Sequence, residues 1–401
     1  MIPTFTNAVP VEFVVFALTL AGVAVFHHRT LQVALSGLGV LVAYKLAVTG
    51  FKSGPGIAGL TAHLTHESVG LMNLLALLTG FAILSRHFEE SHVPAEMPAI
   101  LPDNWTGGLA LLALVFLLSS FLDNIAAAII GGTVARAVYR GRVHLGFLAG
   151  IVAASNAGGS GSVVGDTTTT MMWISGISPF AVLHAYIAAI AAFVIFSIPA
   201  ARMQHAYQPI DKDPAPGTRI EWVRLCVVVA ILAAAIGANV IANLSYPELL
   251  AHVPVIGLAV WAAILLTAPL RKPDWSIMPE TLKGSLFLLS LVLSASLMPV
   301  EALPAASWQT TLGLGFVSAV FDNIPLTALA LKQGGYDWGV LAYAVGFGGS
   351  MIWFGSSAGV ALSNMYPEAK SVGGWLRAGW PIAAAYVIGF VVMLAIWGWW
   401  P

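Results

Sequence analysis

One short phrase occurs twice: Ser119-Ser120-Phe121-Leu122-Asp123-Asn124-Ile125 and Ser318-Ala319-Val320-Phe321-Asp322-Asn323-Ile324. Each copy lies inside a long apolar run, and the two aspartates are 199 residues apart in a chain of 401. The repeat demands a fold of two related halves, each carrying an acid into apolar surroundings. Composition says what those surroundings are. The chain is 58% hydrophobic and 9% charged, with a mean hydropathy of +0.87, whereas soluble domains carry about 25% charged residues. It reads as an all-α polytopic membrane protein. The net charge of −1 gives no reason to expect a nucleic-acid partner. The lone Cys226 excludes an internal disulfide.

Apolar runs fall at roughly 11–26, 31–50, 69–85, 107–139, 144–177 and 180–200, then at 223–246, 253–270, 284–299, 308–333, 337–367 and 379–399. Residues 1–10 lack a basic segment, so 11–26 reads as a retained first span. As one straight helix, 107–139 would be roughly 50 Å long, against a hydrocarbon core of about 30 Å. It is either a long tilted span or a re-entrant hairpin with Asp123-Asn124 at its tip. Cytoplasmic loops are enriched in Lys and Arg. With hairpins at 107–139 and 308–333 and the N-terminus outside, the outer ends hold only Lys45, Lys52 and Lys332, and every other Lys and Arg falls on the cytoplasmic side. A full span at 107–139 would move Arg136, Arg140 and Arg142 outside. The hairpin reading is adopted.

Each half then has five crossings, so the second enters the membrane upside down. The expected domains are a first inverted repeat at 1–200 (hairpin 107–139, broken helix 144–177), a cytoplasmic linker at 201–221, and a second inverted repeat at 222–401 (hairpin 308–333, broken helix 337–367). Inverted repeats with a midplane site recur in secondary transporters.

The broken helices are marked by Asn156-Ala157-Gly158-Gly159-Ser160-Gly161-Ser162-Val163-Val164-Gly165-Asp166-Thr167-Thr168 and by Gly348-Gly349-Ser350-Met351-Ile352-Trp353-Phe354-Gly355-Ser356-Ser357. They align through Gly158-Gly159 with Gly348-Gly349, which sets Asp166 opposite Ser356 and Thr167 opposite Ser357. Glycine and hydroxyl residues at this density interrupt a helix. Unwound backbone at membrane depth is tolerated only in protein or beside a cavity, where its carbonyls and hydroxyls become available to a hard cation.

Three carboxylates therefore lie at membrane depth: Asp123, Asp166 and Asp322. Each costs on the order of 3 kcal/mol at the bilayer centre. No Lys or Arg lies close to them in the central stretches to neutralise them, which favours Na+, Li+ or protons over an anionic ligand. Each could equally cap the half-helix that follows it, and the two roles are compatible. Weaker candidates have structural readings. Asn73 reads as a helix-packing hydrogen bond, Lys45 as snorkelling to the outer interface, and His66 and Glu67 as solvated residues preceding the third span. His144 and His184 read as interfacial or packing residues rather than proton carriers. Pro325 suits the first turn of a half-helix, and Trp397, Trp399 and Trp400 an interfacial belt.

No nucleotide-binding Gly-rich loop, HExxH motif or nucleophile elbow is present, so an enzyme is not expected. The Asp-Asn-Ile phrases, Asn156-Ala157-Gly158-Gly159, Gly165-Asp166-Thr167-Thr168-Thr169-Thr170-Met171 and Gly348–Gly359 together resemble the NhaD-type sodium/proton antiporters of the ion transporter superfamily. That superfamily also holds arsenite permeases and citrate and dicarboxylate transporters. The resemblance implies re-entrant hairpins, discontinuous helices, an elevator-type homodimer in a membrane, here a bacterial inner membrane, and no cofactor. It implies sodium or lithium and proton ligands at Asp123, Asn124, Asn156, Asp166, Thr167, Thr168, Asp322, Asn323, Ser356 and Ser357, with Asp123, Asp166 and Asp322 holding the metal cation. The alternative within the superfamily is an anion or oxyanion carrier, of arsenite or of a carboxylate with a coupled cation.

Overall fold

The computed structural model describes residues 9–26, 29–212, 219–250 and 252–401. The first residues of the N-terminal stretch and the middle of the linker, both read above, lie outside them. The described secondary structure is helical apart from one isolated bridge between Phe51 and Gly54.

The first half comprises α1 (Val11–Val25), α2 (Thr30–Tyr44), α3 (Gly56–Glu89), α4 (Val93–Ile100), α5 (Trp105–Ser119), α6 (Asn124–Val138), α7 (Leu145–Ser160), α8 (Thr167–Ile174), α9 (Pro179–Leu183) and α10 (Ala185–Tyr207). The second comprises α11 (Trp222–Ser245), α12 (Pro247–Leu250), α13 (Val255–Thr267), α14 (Met278–Ser296), α15 (Trp308–Ser318), α16 (Asn323–Gln333), α17 (Trp338–Gly348), α18 (Ser357–Met365) and α19 (Val372–Ile396). Six described stretches are long and apolar enough to cross a membrane: 30–49, 56–89, 179–207, 222–242, 275–296 and 372–396. The protein is a multi-span, all-helical membrane protein.

Local chemistry sets many boundaries. Asn104 accepts from Thr106 N (2.8 Å) to start α5, Ser307 and Thr310 form a capping box on α15, and Asp337 accepts from Val340 N (3.0 Å) to start α17. Gly334, at φ +74°, closes α16 in a conformation that disfavours any side chain.

Helices α3 and α14 pack antiparallel. His63 Nε2 meets Ser296 Oγ at 2.9 Å at one end, and Arg86 Nε donates to Asp274, just before α14, at 2.9 Å at the other. The interval from His63 to Arg86 spans about 35 Å of helix, close to the thickness of a hydrocarbon core. At the Arg86 end, Glu90, Glu221, Arg224 and Arg271 join Arg86 and Asp274 in one ion-pair network. The opposite end holds Lys52 paired with Glu301 (3.1 Å), and Lys332 donating to the Ser296 carbonyl. The halves also exchange partners: α13 lies on α3, and α2 lies on α14.

Two expectations are corrected. The third span runs over 56–89, not 69–85, so His66 and Glu67 lie within it. His66 is exposed and Glu67 half-buried, so the polar turn rides on one end of a helix longer than a hydrocarbon core needs. Lys45 does not snorkel freely; it pairs with the buried Glu12 at 3.4 Å. Asn73 does pack helices, its Oδ1 accepting from Gly257 N at 2.7 Å. His144 caps α7 through Gly146 N (3.1 Å), and His184 stacks on Trp397 at 3.7 Å.

Candidate functional site at the hairpin tips

Helices α5 and α6 form a hairpin closed by Ser120–Asp123. A Cβ on Gly131 would collide with Val115, and one on Gly108 would come within 2.9 Å of Tyr139 Oη; both pairs are centred near residue 123. Asp123 caps α6 by accepting from Ile125 N at 2.8 Å. The open end lies beside the linker, where Arg140 pairs with Asp211 (3.1 Å) and Lys212 with Asp103 (2.8 Å). Glu221 N donates to Ser91 O (2.9 Å), joining the linker to the Arg86 network. Helices α15 and α16 repeat the motif. Asp322 accepts from Ile324 N at 3.0 Å, and at the open end Gln333 Nε2 donates to Pro304 O (2.7 Å), near the Lys52–Glu301 pair.

The broken helices bring their breaks to these tips. In each, a glycine lets the half-helix end lie against the following loop: Gly159 faces Gly165 O, and Gly349 faces Gly355 O, with 2.6 Å left for a Cβ in both. Ser119 Oγ donates to Ser155 O (2.6 Å), and Ser318 Oγ to Val345 O (2.7 Å), tying each hairpin to its broken helix at matching points. Asp166 caps α8 through Thr168 N (3.0 Å), and Ser356 caps α18 through Gly359 N (3.3 Å).

Hydrogen bonds link the two halves here. Asn124 Nδ2 donates to Asn156 Oδ1 (3.1 Å). Asn156 Nδ2 donates in turn to Ser350 Oγ (2.9 Å) and Ser356 Oγ (3.0 Å) in the other half. Asn323 Nδ2 approaches Asp166 Oδ2 at 3.3 Å, and Ser357 Oγ donates to Asp322 Oδ2 at 3.1 Å. Asp166 lies within electrostatic reach of both Asp123 and Asp322. The Thr168 hydroxyl is buried beside the Asp166 carboxylate. Thr167 is buried beside it but makes no hydrogen bond to Asp123. All ten residues singled out in the sequence therefore come to the tips and breaks.

Three features escaped the sequence. Ser350, fully buried, anchors Asn156; only its place in a glycine-rich break hinted at a role. Gly346 stands at the position that Asn156 holds in the other half. The unwound carbonyls are also less available than expected. Gly158 O accepts from Tyr186 Oη (3.0 Å), Ser162 O from Thr169 Oγ1 (2.5 Å), and Val163 O from Thr170 Oγ1 (2.9 Å). Among the described residues, no three of His, Cys, Asp and Glu gather closely enough to share a metal ion. A cation here would rest on one or two carboxylates with neutral oxygens. No ion pair among the described residues reaches Asp123, Asp166 or Asp322.

The family described as "CitMHS: Citrate transporter" matches residues 5–348. The chain belongs to the CitMHS family. Relatives of this CitMHS member include sodium/proton antiporter 1 of Arabidopsis thaliana, 26% identical over 95% of this chain and 71% of its own length. Sodium/proton antiporter 2 of the same plant is 26% identical over 86% of this chain and 90% of its own length. The Na(+)/H(+) antiporter NhaD of Halomonas elongata is 25% identical over 73% of this chain and 67% of its own length. The family and these relatives are transporters, not enzymes.

Proposed function

We propose that this CitMHS member is a secondary transporter that exchanges Na+ (or Li+) for H+, with cation and protons competing for the carboxylates at the hairpin tips. The observation that carries the reading is a set of acids at membrane depth with hydroxyl and amide neighbours and no basic partner among the described residues. Bare negative charge in a low-dielectric interior is costly, so a small cation or a proton must accompany it across. The sodium/proton antiporter names of the relatives point the same way. The same proposal takes 1–200 and 222–401 as inverted repeats about the linker 201–221, with hairpins re-entrant from opposite faces and the N-terminus outside. It is supported by the antiparallel α3–α14 pair and by hairpins that open at opposite ends of the molecule.

The family description favours a second reading, a cation-coupled carboxylate carrier. A polyanion would need compensating positive charge at the tips, and only amides and hydroxyls are found there among the described residues.

Proteoliposomes carrying a pH dye test both. An inward sodium step is expected to drive protons out, and Asp166→Asn is expected to abolish that signal while its melting and gel-filtration profiles stay those of a folded protein. Absence of sodium-driven proton movement in the wild type, together with uptake of citrate on a cation gradient, would replace the first reading by the second.

A further inference from the structure

The two hairpin-tip pockets superpose by sequence but differ in what fills them. Hairpin positions correspond as Asp123 with Asp322 and Asn124 with Asn323. Broken-helix positions correspond as Asn156 with Gly346 and Asp166 with Ser356. The packing repeats the register: a Cβ on Gly158 would collide with Phe116 O, and one on Gly348 with Gly315 O.

In the first pocket the Asn156 side chain occupies the space between hairpin and break. Its amide hydrogens point at Ser350 Oγ (2.9 Å) and Ser356 Oγ (3.0 Å), and its carbonyl accepts from Asn124 Nδ2 (3.1 Å). Ser356 Oγ also accepts from Gly359 N (3.3 Å), so both its lone pairs are engaged. Asp123 accepts only from backbone amides among the described residues. The Ser356 hydroxyl and the Asn156 carbonyl, engaged in this way, have little left to offer a cation.

The second pocket is built the other way. Gly346 stands where Asn156 stands in the first and brings no side chain, and a Cβ there would lie 3.3 Å from Asp166 Oδ2 and 3.4 Å from Ser160 Cβ. Two carboxylates flank the Asn323 side of this pocket, Asp166 at 3.3 Å from its amide and Asp322 next to it in the chain. Each retains lone pairs beyond its backbone and side-chain partners. Thr168, whose backbone amide binds Asp166 at 3.0 Å, is fully buried and sets its hydroxyl beside the same carboxylate. A hydroxyl beside carboxylates adds a neutral oxygen of the kind a hard cation prefers.

We propose that each chain seats one transported cation, in the second pocket between Asp322 and Asp166, and that Gly346 keeps this seat open while Asn156 closes its counterpart. Asp322, Asp166, Ser357 and Thr168 supply the oxygens. Asn156 is a positioning residue that braces the first hairpin tip to both broken helices.

The proposal rests on the antiport reading for the identity of the ion but not for the count or the place. Radioactive sodium binding to the purified full-length protein in detergent measures both. One saturable Na+ per chain is expected. Gly346→Ala is expected to raise the sodium Kd about tenfold, because a methyl group forced against a carboxylate ligand costs about 1–3 kcal/mol. Asp322→Asn is expected to raise it on the order of 100-fold or more, as loss of a charged partner does. Asp322→Asn replaces one good N-cap by another, so it keeps a readout even where Gly346→Ala fails to fold. Two sodium ions per chain, or a larger loss in Asp123→Asn than in Asp322→Asn, overturns the proposal while leaving antiport intact. Absence of sodium binding in the wild type overturns this proposal, and absence of sodium-driven proton flux in the vesicles then overturns the antiport reading as well.

Discussion

Hairpin α5–α6 is packed upon itself, whereas hairpin α15–α16 spreads and leans its returning helix on α14. The reason is readable at matched positions. Gly131-Gly132 in α6 correspond to Ala330-Leu331 in α16. Gly131 lets Val115 of α5 come into contact, and Gly132 lets Leu362 of α18 do the same, with Tyr366 Oη donating to Gly132 O at 2.8 Å. Positions 330 and 331 carry side chains instead, and α16 lies on α14 rather than along α15. Its end is held instead by Lys332 on the Ser296 carbonyl, at the C-terminus of α14, where a cation also meets the helix dipole favourably. The two bodies differ, yet both tips deliver a capped Asp-Asn pair. A hairpin has to bring its tip to a given depth, and more than one way of packing achieves this.

The comparison is most exposed at the tips. Ser357 donates to Asp322, while its counterpart Thr167 makes no bond to Asp123. Ser357→Ala removes a hydrogen bond to a charged group, about 1.5–3 kcal/mol. It is therefore expected to raise the sodium concentration for half-maximal exchange by roughly 10- to 100-fold, with Thr167→Val changing it far less. Equal effects in a dye-quench titration would erase the distinction between the tips.

The bodies come next. Gly131→Ala forces a methyl group into Val115 and is expected to destabilise the protein by about 1–3 kcal/mol. Ala330→Gly meets no such overlap and is expected to cost about 1 kcal/mol, from helix propensity. Thermal unfolding in detergent ranks them, and a reversed order would mean that α16 is the tightly packed helix.

The smallest effect belongs to the open end of the first hairpin. Asp211 is fully exposed, and its hydrogen bond to Arg140, then their charge attraction, hold its carboxyl below the ordinary value of 3.8. A depressed acid contributes stability above its unfolded value and loses it as pH falls through its folded one. Asp211→Asn is thus expected to lower the melting temperature slightly at neutral pH, and the difference should vanish as pH drops below 3.8. A difference that grows in acid would show that another group ties this end.

Much of the candidate site's local geometry was legible because its signals are local. An aspartate followed by Asn-Ile inside apolar sequence can cap only the helix it opens, and Asp123 and Asp322 do so through Ile125 N and Ile324 N. Glycine pairs beside hydroxyls placed both breaks. The third span was misjudged in length because His63, His66 and Glu67 lower hydropathy without stopping a helix. Lys45 was misread because Glu12, 33 residues earlier, is its partner, and no window along the chain sees that pair. The carbonyls of the first break were expected to be free, but whether Tyr186, Thr169 or Thr170 turns toward them depends on side-chain direction.

The chain's own order of residues determined that it lies in a membrane, that one phrase recurs, and that each copy sets a capped acid within an apolar run. Helix period, capping and the cost of burying charge act over a few residues and leave their mark in any short stretch. Only the tertiary structure decided that Asn156 reaches Ser350 and Ser356 across the halves, that Asn323 meets Asp166, and that Gly346 lies against Asp166 and Ser160. Those relations join residues some 150 to 200 positions apart, and hydrogen-bond geometry is set by where the backbone carries each group rather than by which group it is.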